Sequence, residues 1–354
     1  MDSIIAFAPA TIANVGPCYD IMGYALDYAG DFAEASKVAG FREDVVWGGV
    51  IGPQAKGLKA LPAQKNAAWV VADDIWKKIS RQNRYDYSLR LVLHKYMEAG
   101  TGLGSSSCSG VAAARAVLSL TGANLSKQEI ADSLILGEET SCGVGHPDNV
   151  IPSFFGGFFF MTLFPYDSLP GGESRFYPVS GGDSLVSVVV KPQVTVKTKK
   201  SRQAVAQYVR KRFSAAGSDP ADFINLVREQ SAKAADMILA FQQNDIKRLG
   251  AIMRNNELLE TPRSEFIPCF HEVKRAALQA GAYGCSIAGS GPSVAAVTGD
   301  RESAQSIRLA MQRAFGDIPT RWLISPVNKS GAVVVDSVED FTARSAPHTD
   351  MMTP

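Results

Sequence analysis

The run Gly100-Thr101-Gly102-Leu103-Gly104-Ser105-Ser106-Ser107 sets glycine at alternate positions and then closes on serines. Such spacing lets a backbone turn tightly and approach a ligand closely. Upstream, Leu89, Leu91 and Leu93 alternate with mostly polar residues, which predicts a strand over Tyr87 to Lys95. Downstream, the alanine-rich stretch Ser107 to Leu120 predicts a helix. A strand, a glycine loop and a helix start together present unpaired N–H groups and a partial positive charge, an anion site suited to phosphates. The serine hydroxyls add donors or a ligand for Mg²⁺. No Gly-Lys-Ser/Thr follows, which excludes a Walker loop, and Ser105 stands where a G-x-G-x-x-G fingerprint requires glycine.

The second chemical feature is a carboxylate. A helix is predicted from Ser126 to about Thr140, opened by a Ser126/Glu129 capping box. At 3.6 residues per turn, Ile130, Ala131, Leu134, Ile135 and Glu138 share one face, and Glu139 lies about 100° away. A carboxylate on an apolar face needs a partner, because burying a bare charge is costly. Mg²⁺ between Glu138 and ATP would supply one. The competing reading is a helix end that frays, with both glutamates solvated.

The elements that must position these groups read as α+β, since strands and helices alternate without a clean βαβ rhythm. Further strands are expected at Ser3–Ala8, Phe158–Phe164, Leu185–Lys191, 283–287, 293–298 and 331–336. A helix over 66–80 would be capped by Asn66, and others lie near 201–212, 221–243, 245–258 and 267–280. Pro9 to Asp20 reads as a loop, Pro165 to Asp183 as a linker, and Ala343 to Pro354 as a frayed tail.

The chain has 354 residues, a net charge of +1 and no long basic run, so nothing draws it to nucleic acid or an acidic membrane. Its partner is expected to be a small molecule or another copy of itself. Five scattered cysteines without a C-x-x-C pair argue against a disulfide framework or a zinc site, and fit the cytoplasm. Met1 to Pro9 lacks a signal-peptide pattern, and the longest apolar run is broken by Gly156-Gly157, too short to span a membrane.

The glycine loop resembles the second motif of the GHMP kinase superfamily. Ala8 to Asp20 (APATIANVGPCYD) resembles the first motif and Ser286 to Ser293 (SIAGSGPS) the third. Gly145 to Gly157 (GHPDNVIPSFFGG) and Thr261 to Pro268 (TPRSEFIP) narrow the resemblance to the homoserine kinase branch. Cys18-Tyr19 stands where that family usually has Gly-Phe, Glu98 where a proline is common, and Cys108 where alanine is usual.

The resemblance implies a two-domain fold, with a ribosomal-protein-S5-like domain over residues 1–180 and a ferredoxin-like domain over 181–354. It implies ATP as co-substrate, Mg²⁺, L-homoserine as acceptor in threonine biosynthesis, and a possible homodimer. The nucleotide would meet Asn66, Glu98, Ala99, the loop Gly100–Ser107 and Cys108. Ser106 and Glu138 would hold the metal.

Homoserine carries a carboxylate, an ammonium and a hydroxyl. A guanidinium fork from Arg202 or Arg263 would suit the first and Asp20 the second. Asn14, His146, Asn149, Thr198 and Gly289 are implied contacts. Asn149 falls where mevalonate kinase-like relatives carry a catalytic aspartate, and Thr198 is a further implied catalytic candidate. Asparagine accepts no proton, so without a carboxylate base the hydroxyl proton would leave by another route, such as directly to the γ-phosphate, with the neighbouring Asp148 as the secondary base candidate. A sugar or isoprenoid kinase, and a nucleotide sensor without turnover, are the rival readings. The charged acceptor residues argue against the first, and intact Ser106 and Glu138 against the second.

Overall fold

The computed structural model describes residues 2–39, 45–83, 85–162, 175–213 and 219–353. The first half runs β1 (Ser3–Ala13), β2 (Met22–Val38), β3 (Val45–Ile51), α1 (Ala67–Gln82), β4 (Ser88–His94), α2 (Ser105–Thr121), α3 (Lys127–Cys142), α4 (Pro147–Phe155), β5 (Phe158–Thr162) and β6 (Arg175–Val179). The second half runs β7 (Val186–Pro192), α5 (Thr198–Phe213), α6 (Pro220–Gln242), α7 (Ile246–Arg254), α8 (Glu257–Ser264), α9 (Phe270–Gln279), β8 (Gly284–Ile287), β9 (Val294–Thr298), α10 (Arg301–Ala314), β10 (Thr320–Pro326), β11 (Val333–Val335) and α11 (Val338–Ser345).

Two sheets organise these elements. The first has the order β11-β1-β2-β4-β3, with β5 on β2 and β6 on β5. Its β3–β4 pair is parallel, with α1 as the crossover, and the other pairings are antiparallel. The second sheet is antiparallel, in the order β10-β7-β9-β8. The strand β11 returns from the second half to the edge of the first sheet.

The alternation of Leu89, Leu91 and Leu93 turns all three into a core with Val71, Ile75 and Trp76 of α1 and Val111 of α2. Ala112, Ala113, Ala114 and Ala116 leave α2 so slim that it is buried nearly all round. A second core joins the sheets through Tyr24, Phe158, Val189, Phe241 and Leu323. Within it the Tyr24 hydroxyl meets Ser187 Oγ at 2.8 Å. Fusing the two sheets in this way sets the groove between them that holds the site.

Several expectations change. Residues 9–13 belong to β1, not to a loop: β11 covers only Ile5–Phe7, and the β1–β2 register shifts between Pro9 and Thr11, so the missing N–H of Pro9 is tolerated. The expected helix over 245–258 is two helices, α7 and α8, parted at Asn255–Asn256. The tail expected to fray from Ala343 instead holds the end of α11 and a 3₁₀ turn over Ala346–His348, and buries Met351 and Met352. Of the expected linker and the strand Phe158–Phe164, residues 163–174 lie outside the described residues, and 175–179 form β6. All five cysteines are free thiols. Among the described residues, no helix is long and apolar enough to cross a membrane.

Candidate active site

The glycine loop follows β4, and α2 begins at Ser105, two residues before its expected start. Gly100, Gly102 and Gly104 hold φ of 73°, 79° and 68°, the left-handed region that glycine enters without strain. Close packing also demands them. A Cβ on Gly102 would stand 2.5 Å from the Ala288 carbonyl oxygen, and one on Gly104 2.5 Å from Thr11 Oγ1. The third-motif loop interlocks here: Ser293 N–H donates to Thr101 O at 3.3 Å, and Gly289 N–H to Ala13 O at 3.2 Å. Gly104 caps α2 without a side-chain bond, so the first-turn N–H groups of α2 remain available to an anion.

A cleft of about 290 Å³ opens between this loop and the second sheet's helices. It brings together most of the expected residues: Asn14, Asp20, Asn66, Ala99, Gly100, Thr101, Gly102, Gly104, Ser105, Ser106, Glu138, His146, Asp148, Asn149, Thr198, Arg202, Arg263 and Gly289. Four others do not line it. Leu103, Ser107 and Cys108 point into buried surroundings, and Cys108 Sγ approaches Pro9 O at 3.4 Å. Glu98 turns away to an ion pair with the buried Lys191, at 2.6 Å. Leu103, Cys108 and Glu98 serve the frame of the loop rather than its ligand face, because an apolar or ion-paired group gains more from the core than from a phosphate, and Ser107 Oγ is buried with no partner.

Glu138 is buried while Glu139 is exposed, as the helix phase requires. Its Oε1 accepts from Ser106 Oγ at 2.5 Å, and its Oε2 lies 2.9 Å from His146 Nδ1. Burial pulls the His146 imidazole down, but hydrogen bonds to Cys142 and Glu138 and the charges of Glu138 and Asp148 outweigh it and push it up to about 10. Two protein oxygens converging beside the loop make a hard donor pair that suits Mg²⁺.

The opposite end of the cleft is polar. Arg202 Nη2 and Asp20 Oδ1 pair at 2.8 Å, so the two groups expected to take opposite ends of a zwitterion face each other. Arg263 is buried: Nε donates to Leu259 O at 2.6 Å, Nη1 to Gly289 O at 2.7 Å, and Nη2 has no partner. The Tyr19 ring lies 5.6 Å from the Arg202 guanidinium and 5.9 Å from that of Arg263, within cation–π range. The unusual Cys18-Tyr19 step is thereby accounted for: Cys18 fills core and Tyr19 braces two arginines. Asn14 and Asp20 hold φ of 59° and 60°, left-handed backbone at the wall of the cleft.

The N-terminus of α4 sits between the two ends. Asn149 Oδ1 accepts from Thr11 Oγ1 at 2.7 Å. Asp148 is buried, and its Oδ2 has no partner. Burial, then the nearby charge of Asp20, pushes its carboxyl up to about 7, against the opposing pull of His146, Arg202 and the Asn14 N–H. Thr198 Oγ1 reaches Ser290 Oγ at 3.4 Å. Asn66 caps α1 by accepting from Ala68 N–H at 2.9 Å, which leaves its amide nitrogen as the group it can offer. Beside it lie Leu58, Leu61 and Lys65.

Sequence reasoning missed Thr11, Tyr19, Leu58, Leu61, Lys65, Lys95 and Cys142 as cleft or support residues. Lys95 carried one usable signal: it ends an apolar strand immediately before the glycine loop. The others have no local pattern.

Comparison with known proteins identifies the family. Residues 66–157 match the family model described as GHMP kinases N terminal domain, and residues 237–317 the one described as GHMP kinases C terminal. The chain is 31% identical to a homoserine kinase of Pyrococcus abyssi, covering 89% of this chain and 93% of that protein. It is 32% identical to a homoserine kinase of Arabidopsis thaliana, over 95% of this chain and 85% of that one. The crystal structure of homoserine kinase from Cytophaga hutchinsonii superimposes with a TM-score of 0.81 at 30% identity, over 95% and 98% of the two chains.

Proposed function

As the chain belongs to the homoserine kinase family of the GHMP kinases, we propose that its cleft transfers the γ-phosphate of ATP to the hydroxyl of L-homoserine, giving O-phospho-L-homoserine and ADP. The observation that carries this reading is the single cleft with a phosphate loop and Ser106–Glu138 at one end and Arg263, Arg202 and Asp20 at the other. A sugar or isoprenol acceptor needs no such charged end, and a sensor needs no paired oxygens beside the loop.

The work divides as follows. Leu58 and Leu61 give the base an apolar wall, with Asn66 and Ala99 nearby. The loop backbone from Gly100 to Gly104 and the N–H groups of Ser105 and Ser106 hold the phosphates. Ser106 and Glu138 hold Mg²⁺, which neutralises charge on the transferring group when bound. The homoserine carboxylate takes the unpartnered Nη2 of Arg263 together with Arg202. Its ammonium takes Asp20, so the zwitterion replaces the Asp20–Arg202 pair with two pairs of its own. Asn14, His146, Thr198 and Gly289 close the pocket around it.

Asn149, held by Thr11, orients the acceptor hydroxyl. Asp148, whose carboxyl burial pushes up to about 7, is the base we assign to take its proton. Positioning supplies most of the remaining barrier reduction. We read residues 1–180 as the unit carrying the phosphate loop and 181–354 as the unit carrying the acceptor arginines, with β11 and α11 handed back to the first. A cytosolic homodimer completes the proposal.

ADP release with Mg-ATP and homoserine, threonine, mevalonate or galactose tests it. Turnover is expected with homoserine, and about 10²–10⁴-fold less in Asp148→Asn, the range for loss of a general base. No homoserine-dependent ADP overturns the activity, and an unchanged Asp148→Asn variant returns the proton to the γ-phosphate route. Arg263→Leu should lower kcat/KM for homoserine by roughly 1.5–3 kcal/mol, the worth of a charged hydrogen bond. The KM for ATP should hold. Unaltered homoserine kinetics in a variant with wild-type melting behaviour would remove Arg263 from the acceptor site.

A further inference from the structure

The last turn of α3 carries more metal-binding chemistry than a magnesium site uses. Glu138, Cys142 and His146 recur at four-residue spacing. The first two share one face of α3. The chain then turns at Gly143, with φ of 78°, and sets His146 at the N-cap of α4. The turn is tightly packed, for a Cβ on Gly145 would stand 2.6 Å from Ile135 Cγ2. One carboxylate oxygen, one thiol sulfur and one imidazole nitrogen consequently lie within 4.8 Å of one another. Glu138 and His146 are buried, Cys142 reaches solvent, and the ring nitrogen that faces Glu138 Oε2, at 2.9 Å, is His146 Nδ1.

We propose that these three side chains form a site for a soft divalent cation of the zinc class, overlapping the magnesium position at Glu138. Oxygen, nitrogen and sulfur donors together are a set that zinc takes and magnesium does not. Tetrahedral zinc bonds of about 2.0–2.3 Å set donors roughly 3.3–3.8 Å apart, so the cluster needs only side-chain adjustment to close. Binding releases the Cys142 thiol proton and a proton from the imidazole, and the fourth position stays open to water or a phosphate oxygen. A cation so held takes Glu138 from the Ser106–Glu138 pair and leaves the loop without its hard-ion ligand. The prediction of inhibition rests on Glu138 as the magnesium ligand; the prediction of binding does not.

Cobalt(II) is the probe, because a bound thiolate gives it a near-ultraviolet charge-transfer band. Titrating the full chain without nucleotide should produce this band with one equivalent of cobalt, and zinc should abolish it. Cys142→Ser should remove the band and weaken binding by more than the roughly 10–100-fold that loss of an outer partner costs. Cys269→Ser, at the other exposed thiol, should leave both unchanged. Zinc should inhibit homoserine phosphorylation by the wild type, while Cys142→Ser, measured against its own zinc-free rate, resists it. Absence of the band, or a band that survives Cys142→Ser, overturns the site. A Cys142-dependent band without inhibition supports the site and counts instead against Glu138 as the magnesium ligand.

Discussion

Replacing Lys95 by methionine will cost about 3–5 kcal/mol of folding stability, the penalty for stranding a buried charge, and will raise the KM for ATP. The ammonium group lies inside the protein with Asp31. It donates to the Asp31 carboxylate, to Ser105 O and Oγ at 2.8 Å each, and to Ser109 Oγ at 3.0 Å. Asp31 in turn accepts from the N–H groups of Tyr96 and Met97, at 2.9 and 2.8 Å, and from Ser109 at 2.8 Å.

The pair therefore grips the chain entering the phosphate loop and the first turn of the helix leaving it. Methionine matches the stem of lysine but leaves Asp31 charged, buried and short of a counter-charge. Urea denaturation measures the first effect and ATP kinetics the second. The double variant Lys95→Met/Asp31→Asn separates them. It should regain most of the stability, because no bare charge remains, yet keep the raised KM, because the loop has lost its anchor. Recovery of both would make the pair a structural element only, and a loss under about 1 kcal/mol in Lys95→Met would show that the pair behaves as a surface ion pair.

Glu138→Gln is the second large effect, on chemistry rather than folding. Glutamine keeps the volume and can still accept from Ser106, so the helix end should stay in place. What disappears is the negative charge that we propose holds Mg²⁺ against the phosphates. Charge stabilisation by such an ion is worth several kcal/mol, so kcat/KM should fall about a thousandfold. Part of that loss should return as Mg²⁺ is raised, because the phosphates and Ser106 still recruit the ion weakly. Rates within threefold of wild type at every Mg²⁺ concentration would release Glu138 from the metal. His146, which meets the same carboxylate at 2.9 Å, loses its counter-charge in this variant, so its imidazole should titrate nearer the ordinary range by NMR.

The parts of the site that were legible before folding are those set by near neighbours. Alternating leucines, alternating glycines and the alanine run identify strand, loop and helix, because backbone conformation and one-sided burial act over a few residues. The same reasoning turned Glu138 inward and Glu139 outward. Where burial is two-sided, the pattern vanishes. The strand β2, from Met22 to Val38, is covered on both faces over much of its length and interrupted at Tyr28, with φ of 67°. It shows no period of two and was not foreseen. The segment from Ala343 onward resembles a tail because its apolar residues are sparse, yet His348 stacks on Tyr28, with ring centroids 4.0 Å apart, and Met351 and Met352 are buried.

The amino-acid order by itself determined the glycine loop between strand and helix, the apolar-side position of Glu138 on its helix and the residue types that a charged acceptor would need. Only the tertiary structure decided who faces whom: Lys95 with Asp31 across 64 positions, Arg202 with Asp20 across 182, and Tyr19 between two arginines. It likewise turned Glu98 to Lys191 and closed Cys142 and His146 around Glu138. The reason is physical. A loop conformation is selected by the torsions of its own residues, whereas a buried ion pair exists only once sheet order and helix docking have removed the water around both partners.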